Sequence, residues 1–367
     1  MKLSGVDLLD GTGWRRGVDL TVASGRIAAI EPGRAQAHAP IICPAPIDLQ
    51  VNGGAGRMLG DCEAPGDVLE ILAAHRRLGT AAILPTLISD TPERTLRVVR
   101  LVERARAADP GILGLHLEGP HITRAGAHDP AHLRDLTEAD LALYTEARAR
   151  LGHLTITLAP ERVPPERIAE LTAAGILVSL GHSDCTAVEA EAAFAAGARM
   201  ATHLFNAMSV LHHREPGLVG AALTHARAYG IIADGHHLAE TTLRVALAAH
   251  PKGAIPVSDA MAVAGTDLTS FRLGDRTVTR AEGRLILDDG TLAGADASLL
   301  DGLMHIARVT ERPLTEVLPM GFDRPHRLLQ GTANRLIEGA PAQLLHIEGG
   351  AIDGFDGHGW HVLARGP

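Results

Sequence analysis

The sequence predicts an α/β protein built on a TIM-like (β/α)8 barrel, with a small β-sandwich domain assembled from both chain ends. Three observations carry that expectation. Eight short apolar runs recur through the middle of the chain, helical stretches rich in Ala, Leu, Arg and Glu separate most of them, and polar residues stand at the C-terminal ends of several. Strands that are apolar throughout belong to a parallel sheet covered on both faces. Eight strand–helix units favour closure into a barrel. An open doubly wound sheet is the competing architecture, but no Gly-rich dinucleotide loop follows the first run.

Taken in order, residues 17–22 and 25–30 read as extended segments separated by turn residues, within a first stretch of 1–44. The eight runs follow at 47–51, 81–86, 113–118, 154–159, 176–181, 198–203, 229–234 and 255–259, inside a barrel expected to span 45–334. Residues 92–107, 137–150, 165–174 and 187–196 carry helical spacing between them. Residues 271–289 read as a hairpin inserted after the eighth strand, and the small residues of 290–298 as an ordered loop. Residues 343–347 and 350–352 resemble another hairpin, in a last stretch of 335–367. Neither end buries enough apolar area to fold alone, so the two are expected to join into one small domain.

Composition excludes several functions. Apolar residues make up 46% of the 367, but aromatics only 2%, so the core must be aliphatic. A formal charge of −9 without a basic run argues against binding to nucleic acid or to an anionic membrane. No apolar run approaches the ~20 residues of a membrane span, and the first residues lack the apolar core of a signal peptide. The cytoplasm is the expected compartment. Cys43, Cys62 and Cys185 are odd in number and unpatterned, which fits neither a disulfide framework nor a zinc knuckle. The only lysines, Lys2 and Lys252, end no barrel strand, so neither a Schiff-base lysine nor a metal-bridging carboxylated lysine is expected.

The chemistry sits at strand ends. Glu118 closes the third run just before Gly119-Pro120, His182 the fifth, His203 the sixth and Asp259 the eighth. A catalytic zinc takes three protein ligands and leaves one position for water, which assigns Glu118, His182 and His203 to the metal. Asp259, expected across the barrel from them, would take a proton from the attacking water and return it to the leaving group. The first run ends in Gln50-Val51-Asn52. Amides are poor zinc ligands beside imidazole, so a single metal is expected, with at most weak binding near Gln50 and Asn52.

These phrases, with Ile47–Gly53, Leu158–Glu161, Thr202–Met208, Arg214–Leu218, Ala233–His237 and Gly290–Gly294, run in family order from about 45 to 295. The chain resembles the amidohydrolase superfamily and, within it, the N-acetylglucosamine-6-phosphate deacetylase family. That resemblance implies hydrolysis of the N-acetyl group of N-acetyl-D-glucosamine 6-phosphate, with one divalent ion per subunit, Zn²⁺ being the expected one. It places Asn206, the backbone of Ala207, Arg214 and His237 on the sugar phosphate, and Ala127, His128, Leu292, Ala293 and Gly294 around the sugar and acetyl group. His128 would steady the developing oxyanion. Arg214 and His237 would reach the substrate of a neighbouring subunit, which implies a homodimer. A deacetylase for the galacto epimer or another N-acyl sugar is the alternative enzyme. A silent barrel-type binding protein is disfavoured, because no ligand and no terminal aspartate is missing. Two departures from the family pattern stand out: Asp296, where small or hydroxyl residues are usual, and the loop Met261-Ala262-Val263-Ala264.

Overall fold

The computed structural model describes residues 1–364, so the last three residues of the expected 335–367 segment lie outside the described residues. Eight parallel strands form the barrel: Ile47–Val51, Ala82–Ile88, Gly114–Glu118, His153–Leu158, Leu177–Leu180, Met200–Ala201, Ala228–Ile231 and Ala254–Pro256, each paired with its neighbour in chain order. Closure comes just beyond the last strand, where Val51 bridges Ala260 and the Asp259 N–H donates to the Gln50 carbonyl at 3.0 Å.

Helices flank the strands, and their starts are written in the sequence. Thr91, Thr137 and Thr186 each accept a backbone N–H three residues on, satisfying donors that a helix start leaves free. An aliphatic core between strands and helices, including Leu115, Ile156, Val178 and Leu218, holds the outer layer on. The barrel interior differs. Beneath the mouth lies a polar layer in which His116 Nε2 is 2.7 Å from Thr157 Oγ1, Thr157 Oγ1 is 2.6 Å from Thr202 Oγ1, and Thr202 Oγ1 is 2.6 Å from Ser179 Oγ. Thr86 joins it at 3.3 Å from His116 Nδ1 while accepting the Val51 N–H. All these groups are buried and hydrogen-bonded, so the layer ties six strands together below the functional residues.

A second, seven-stranded sheet combines Lys2–Asp10, Gly13–Ala23, Arg26–Pro32 and Ile41–Pro44 with Leu344–Glu348, Ala351–Phe355 and Trp360–Ala364. Pairing is antiparallel except between the first and fourth strands. Leu8, Leu20, Ile42 and Leu344 form its own small core. No helix among the described residues is long and apolar enough to cross a membrane.

After the eighth barrel strand the chain makes a four-stranded antiparallel sheet, Ser270–Leu273, Arg276–Ala281, Arg284–Leu287 and Leu292–Ala295. This corrects the reading of 290–298 as loop. The run Leu292-Ala293-Gly294-Ala295 lacks the β-branched and aromatic residues that mark strands, and it is held extended by pairing with Arg284–Leu287 and by a bridge from Ala295 to Ala260.

A candidate metal centre at the mouth of the barrel

Glu118, His182 and His203 converge. Each lies at or just past the end of its strand and is almost fully buried. Their candidate ligand atoms all fall within 4.8 Å of one another. Glu118 Oε1 is 3.0 Å from His203 Nε2 and 3.3 Å from His182 Nε2, and the two imidazole nitrogens are 3.0 Å apart. Two nitrogens that close need a proton or a cation between them, and a carboxylate oxygen beside both favours the cation. His182 Nδ1–H donates to the Arg124 carbonyl at 2.7 Å, which fixes the tautomer and leaves Nε2 as a lone-pair donor, the usual arrangement behind a metal-bound histidine. The residues therefore fit a single divalent ion.

Burial alone would raise the Glu118 carboxyl, but hydrogen bonds from His182 and His203 outweigh it and hold the group well below its ordinary range. Burial pulls His203 down, and the adjacent Glu118 carboxylate more than reverses this.

Asp259 is close to the cluster rather than across the barrel from it. Gln50 Nε2 donates to both Glu118 Oε1 and Asp259 Oδ1, each at 3.0 Å, and Asn52 Nδ2 donates to Asp259 Oδ1 at 2.7 Å. The strand ends at Pro256, and Asp259 lies three residues beyond it. The two amides that replace a histidine pair thus orient carboxylates through their N–H donors. Burial first, then the Glu118 charge, pushes Asp259 up to about 6.

His182, His203, Ala207 and Asp259 all have positive φ, at 50°, 29°, 49° and 52°. Non-glycine residues rarely adopt that conformation, and the cost of each, about 1–3 kcal/mol, persists because surrounding structure enforces it. Gly294 shows how. Its φ is +64°, and a Cβ there would lie 2.6 Å from the Asp259 carbonyl oxygen, so only glycine lets the inserted sheet pass against Asp259.

A cavity of about 520 Å3 opens over the cluster. It is lined by Glu118, His182, His203 and Asp259, and also by Ala127, His128, Asn206, Ala207, His237, Leu292 and Gly294. Two expected substrate residues stand elsewhere. Arg214 is exposed outside this cavity, and Ala293 is fully buried in the core of the inserted sheet with Met261 and Val278. His128 Nε2 lies 3.8 Å from Glu118 Oε2. The Ser89 N–H donates to His128 Nδ1 at 3.2 Å, with Ser89 Oγ at 2.8 Å, so the neutral ring carries its proton on Nε2. Burial pushes His128 down to about 3, which keeps it neutral and a hydrogen-bond donor. Asp234 accepts from His237 Nδ1–H at 2.7 Å; burial opposes its ionisation, but the His237 contact prevails and holds it at about 2.

Ser89 and Arg124 take part without a sequence signal of their own. Ser89 follows the second strand and Arg124 sits in the long loop after Glu118, both in places that pattern reading leaves as connections. The unusual Asp296 accepts from Arg280 Nε at 2.6 Å, and Arg280 also donates to the Thr266 carbonyl, so the carboxylate staples the inserted sheet. Met261, Ala262 and Val263 fill that sheet's core, and Met261 also borders the cavity.

A (β/α)8 barrel with a carboxylate and two histidines at its strand ends, and an aspartate after the last strand, defines a metal-dependent hydrolase of the amidohydrolase class. The comparisons narrow this. No family model matches the chain. An N-acetylgalactosamine-6-phosphate deacetylase from Shewanella sp. (strain ANA-3) is 40% identical over 292 residues, 77% of this chain and 73% of that protein. The N-acetylglucosamine-6-phosphate deacetylase of Homo sapiens is 38% identical over 345 residues, covering 86% and 82%. Among solved structures, the N-acetylglucosamine-6-phosphate deacetylase of Pasteurella multocida superposes with a TM-score of 0.89 at 26% identity, over 99% of this chain and 100% of that one. The chain belongs to the N-acetylglucosamine/N-acetylgalactosamine-6-phosphate deacetylase family of the amidohydrolase superfamily.

Proposed function

We propose that this chain hydrolyses N-acetyl-D-glucosamine 6-phosphate to D-glucosamine 6-phosphate and acetate, as a step in amino-sugar catabolism. The observation that carries the proposal is the convergence of Glu118, His182 and His203 beside Asp259, in a cavity large enough for a sugar phosphate. The galacto epimer is the second reading, favoured by the 40% identity to the Shewanella protein named for it.

In this reading Glu118, His182 and His203 hold one divalent ion, Zn²⁺. When bound it supplies a nucleophilic water at neutral pH and polarises the acetyl carbonyl. Asp259 accepts the water's proton as the carbonyl carbon is attacked. Its carboxyl is held by the Gln50 and Asn52 amides through Oδ1, which leaves Oδ2 for the proton. His128 donates its Nε2–H to the developing oxyanion, with Ser89 holding the ring in the required tautomer. Asp259 then passes its proton to the departing nitrogen, and acetate and the amine leave. His237, expected to reach a neighbouring subunit's substrate, borders its own chain's cavity instead, and with Asn206 it is assigned to the sugar phosphate, with Ala127, the Ala207 backbone, Leu292 and Gly294 shaping the remainder. Ala293 acts from behind, by packing.

Arg214 stands outside its own chain's cavity, on an exposed loop with the apolar Val210 and Leu211, 69% and 51% exposed. Exposed apolar side chains beside a cation suit an interface. The proposal therefore includes a cytoplasmic homodimer in which Arg214 completes the neighbouring subunit's site. The test is a steady-state assay of N-acetylated glucosamine, galactosamine and mannosamine, each with and without 6-phosphate. Highest kcat/KM on the phosphorylated gluco epimer is expected, and preference for an unphosphorylated sugar would reject the reading.

A further inference from the structure

The opposite end of the barrel carries a second concave surface. A cavity of about 460 Å3 lies where the fourth to seventh strands begin, bordered by Arg148, His153, Arg199 and Arg227, with Leu328 and Leu329 of the last helix forming an apolar wall. No Asp or Glu lines it. Arg199 and Arg227 directly precede adjacent strands, and the Arg227 N–H donates to the Arg199 carbonyl at 2.9 Å, so the two side chains start about 5 Å apart. Among the described residues neither forms an ion pair. Arg148 uses only Nε, donating to the Gly175 carbonyl at 2.7 Å.

Arg150, in the last turn of the helix Glu138–Leu151, by contrast meets Glu146 and Glu103. In a chain with nine more acidic than basic charges, counter-ions are plentiful, yet this concavity excludes them. Like charges held together without a counter-charge repel, and an anion seated among them relieves the cost. His153 reports the same field. Burial, then the charges of Arg148 and Arg106, lower it from its ordinary value.

We propose that this N-terminal face of the barrel binds a small phosphate monoester, with Arg148, Arg199 and Arg227 as the phosphate donors. The cavity exceeds what inorganic phosphate would fill, and its leucine wall suits an organic body attached to the anion. The site is separate from the catalytic mouth, because even the short run from Arg199 to His203 spans roughly 13 Å of extended chain.

Glycerol 3-phosphate is the probe. Arginines of the full chain are modified with phenylglyoxal, with and without the probe, and the rate at each residue is read by peptide mass spectrometry. Arg199 and Arg227 are expected to react ~10-fold more slowly with the probe, while exposed Arg34 is unaffected. Protection confined to Arg214 would put the anion in the catalytic cavity and overturn the proposal. So would unreactive Arg199 and Arg227 without probe, which would mean that protein already covers the face. In parallel, the double variant Arg199→Gln, Arg227→Gln should bind the probe ~10-fold or more weakly by calorimetry, with probe-free kcat and KM unchanged. An unaltered isotherm, or a parallel loss of turnover, would also refute it.

Discussion

Asp259→Asn separates the proton acceptor from everything else Asp259 does. In the wild type, Oδ1 accepts from Gln50 Nε2 at 3.0 Å and Asn52 Nδ2 at 2.7 Å. The asparagine carbonyl can keep both contacts, which places its NH2 where Oδ2 stood. That group cannot take a proton from water. General acid–base roles are worth about 10²–10⁴-fold in rate, or ~3–5 kcal/mol of barrier, and kcat should fall by that factor while metal content stays at the wild-type level. The pH profile adds an independent signature. Asp259 must be ionised to accept a proton, and burial with the Glu118 charge raises it to about 6. Wild-type kcat/KM should therefore fall about tenfold per unit on an acid limb lying below pH ~6, because a bound dication offsets the Glu118 charge, and the variant should lack that limb. Stability moves the other way. The folded state keeps this proton up to about 6 whereas the unfolded chain releases it near 3.8, so ionising Asp259 costs stability as pH rises through that window. The metal-free variant should melt no lower than metal-free wild type at pH 8. The assays are amine release across pH 5–9, elemental analysis and thermal melts. Near-normal kcat with an intact acid limb would remove Asp259 from the proton path and require another base.

Four further outcomes follow from the same geometry. Protein loaded with excess zinc and dialysed should retain one equivalent per chain, because Gln50 and Asn52 offer amide oxygens where imidazoles would be needed to hold a second ion tightly; two retained equivalents would contradict this, and His182→Asn or His203→Asn should lower metal and activity together. Ser89→Ala removes the hydroxyl beside His128 Nδ1 and should cut kcat about tenfold with little change in KM, as loosened oxyanion contacts do; a pure KM effect would put His128 in ground-state binding. Arg214→Ala should depress kcat/KM strongly for the phosphorylated sugar and barely for the unphosphorylated one, and sedimentation should show a dimer; a fully active monomer would exclude a shared site. Gly294→Ala forces a Cβ to within 2.6 Å of the Asp259 carbonyl oxygen, so kcat should fall while metal stays bound; unchanged kcat would show that the inserted sheet can shift freely.

The candidate ligand residues were legible because strand termini are where sequence pattern and chemistry coincide. An apolar run broken by Glu118 before Gly119-Pro120, or by His182 and His203, states both the end of a strand and a polar group at the barrel mouth. The inserted sheet was legible only in part. Residues 271–289 carry an alternating hairpin pattern, but Leu292–Ala295 is a strand through its neighbours, and its small residues are there so that it can run against Asp259. Ser89 and Arg124 were silent because each acts through contacts to a histidine far away in sequence: the Ser89 N–H and Oγ to His128, and the Arg124 carbonyl to His182.

Gln50 shows what the sequence can and cannot carry. Two amides in place of histidines imply one metal, and that is a property of residue type alone. That a single Nε2 group donates to Glu118 on one side and Asp259 on the other is a property of closure, since it needs the first strand, the third and the turn after the eighth to meet at one point. The Asp259 N–H to Gln50 carbonyl bond and the Val51–Ala260 bridge make that meeting. The contact that closes the barrel thus also sets the distance between the candidate metal ligand and the candidate base. A substitution that loosens the seam should therefore cost turnover before it costs fold.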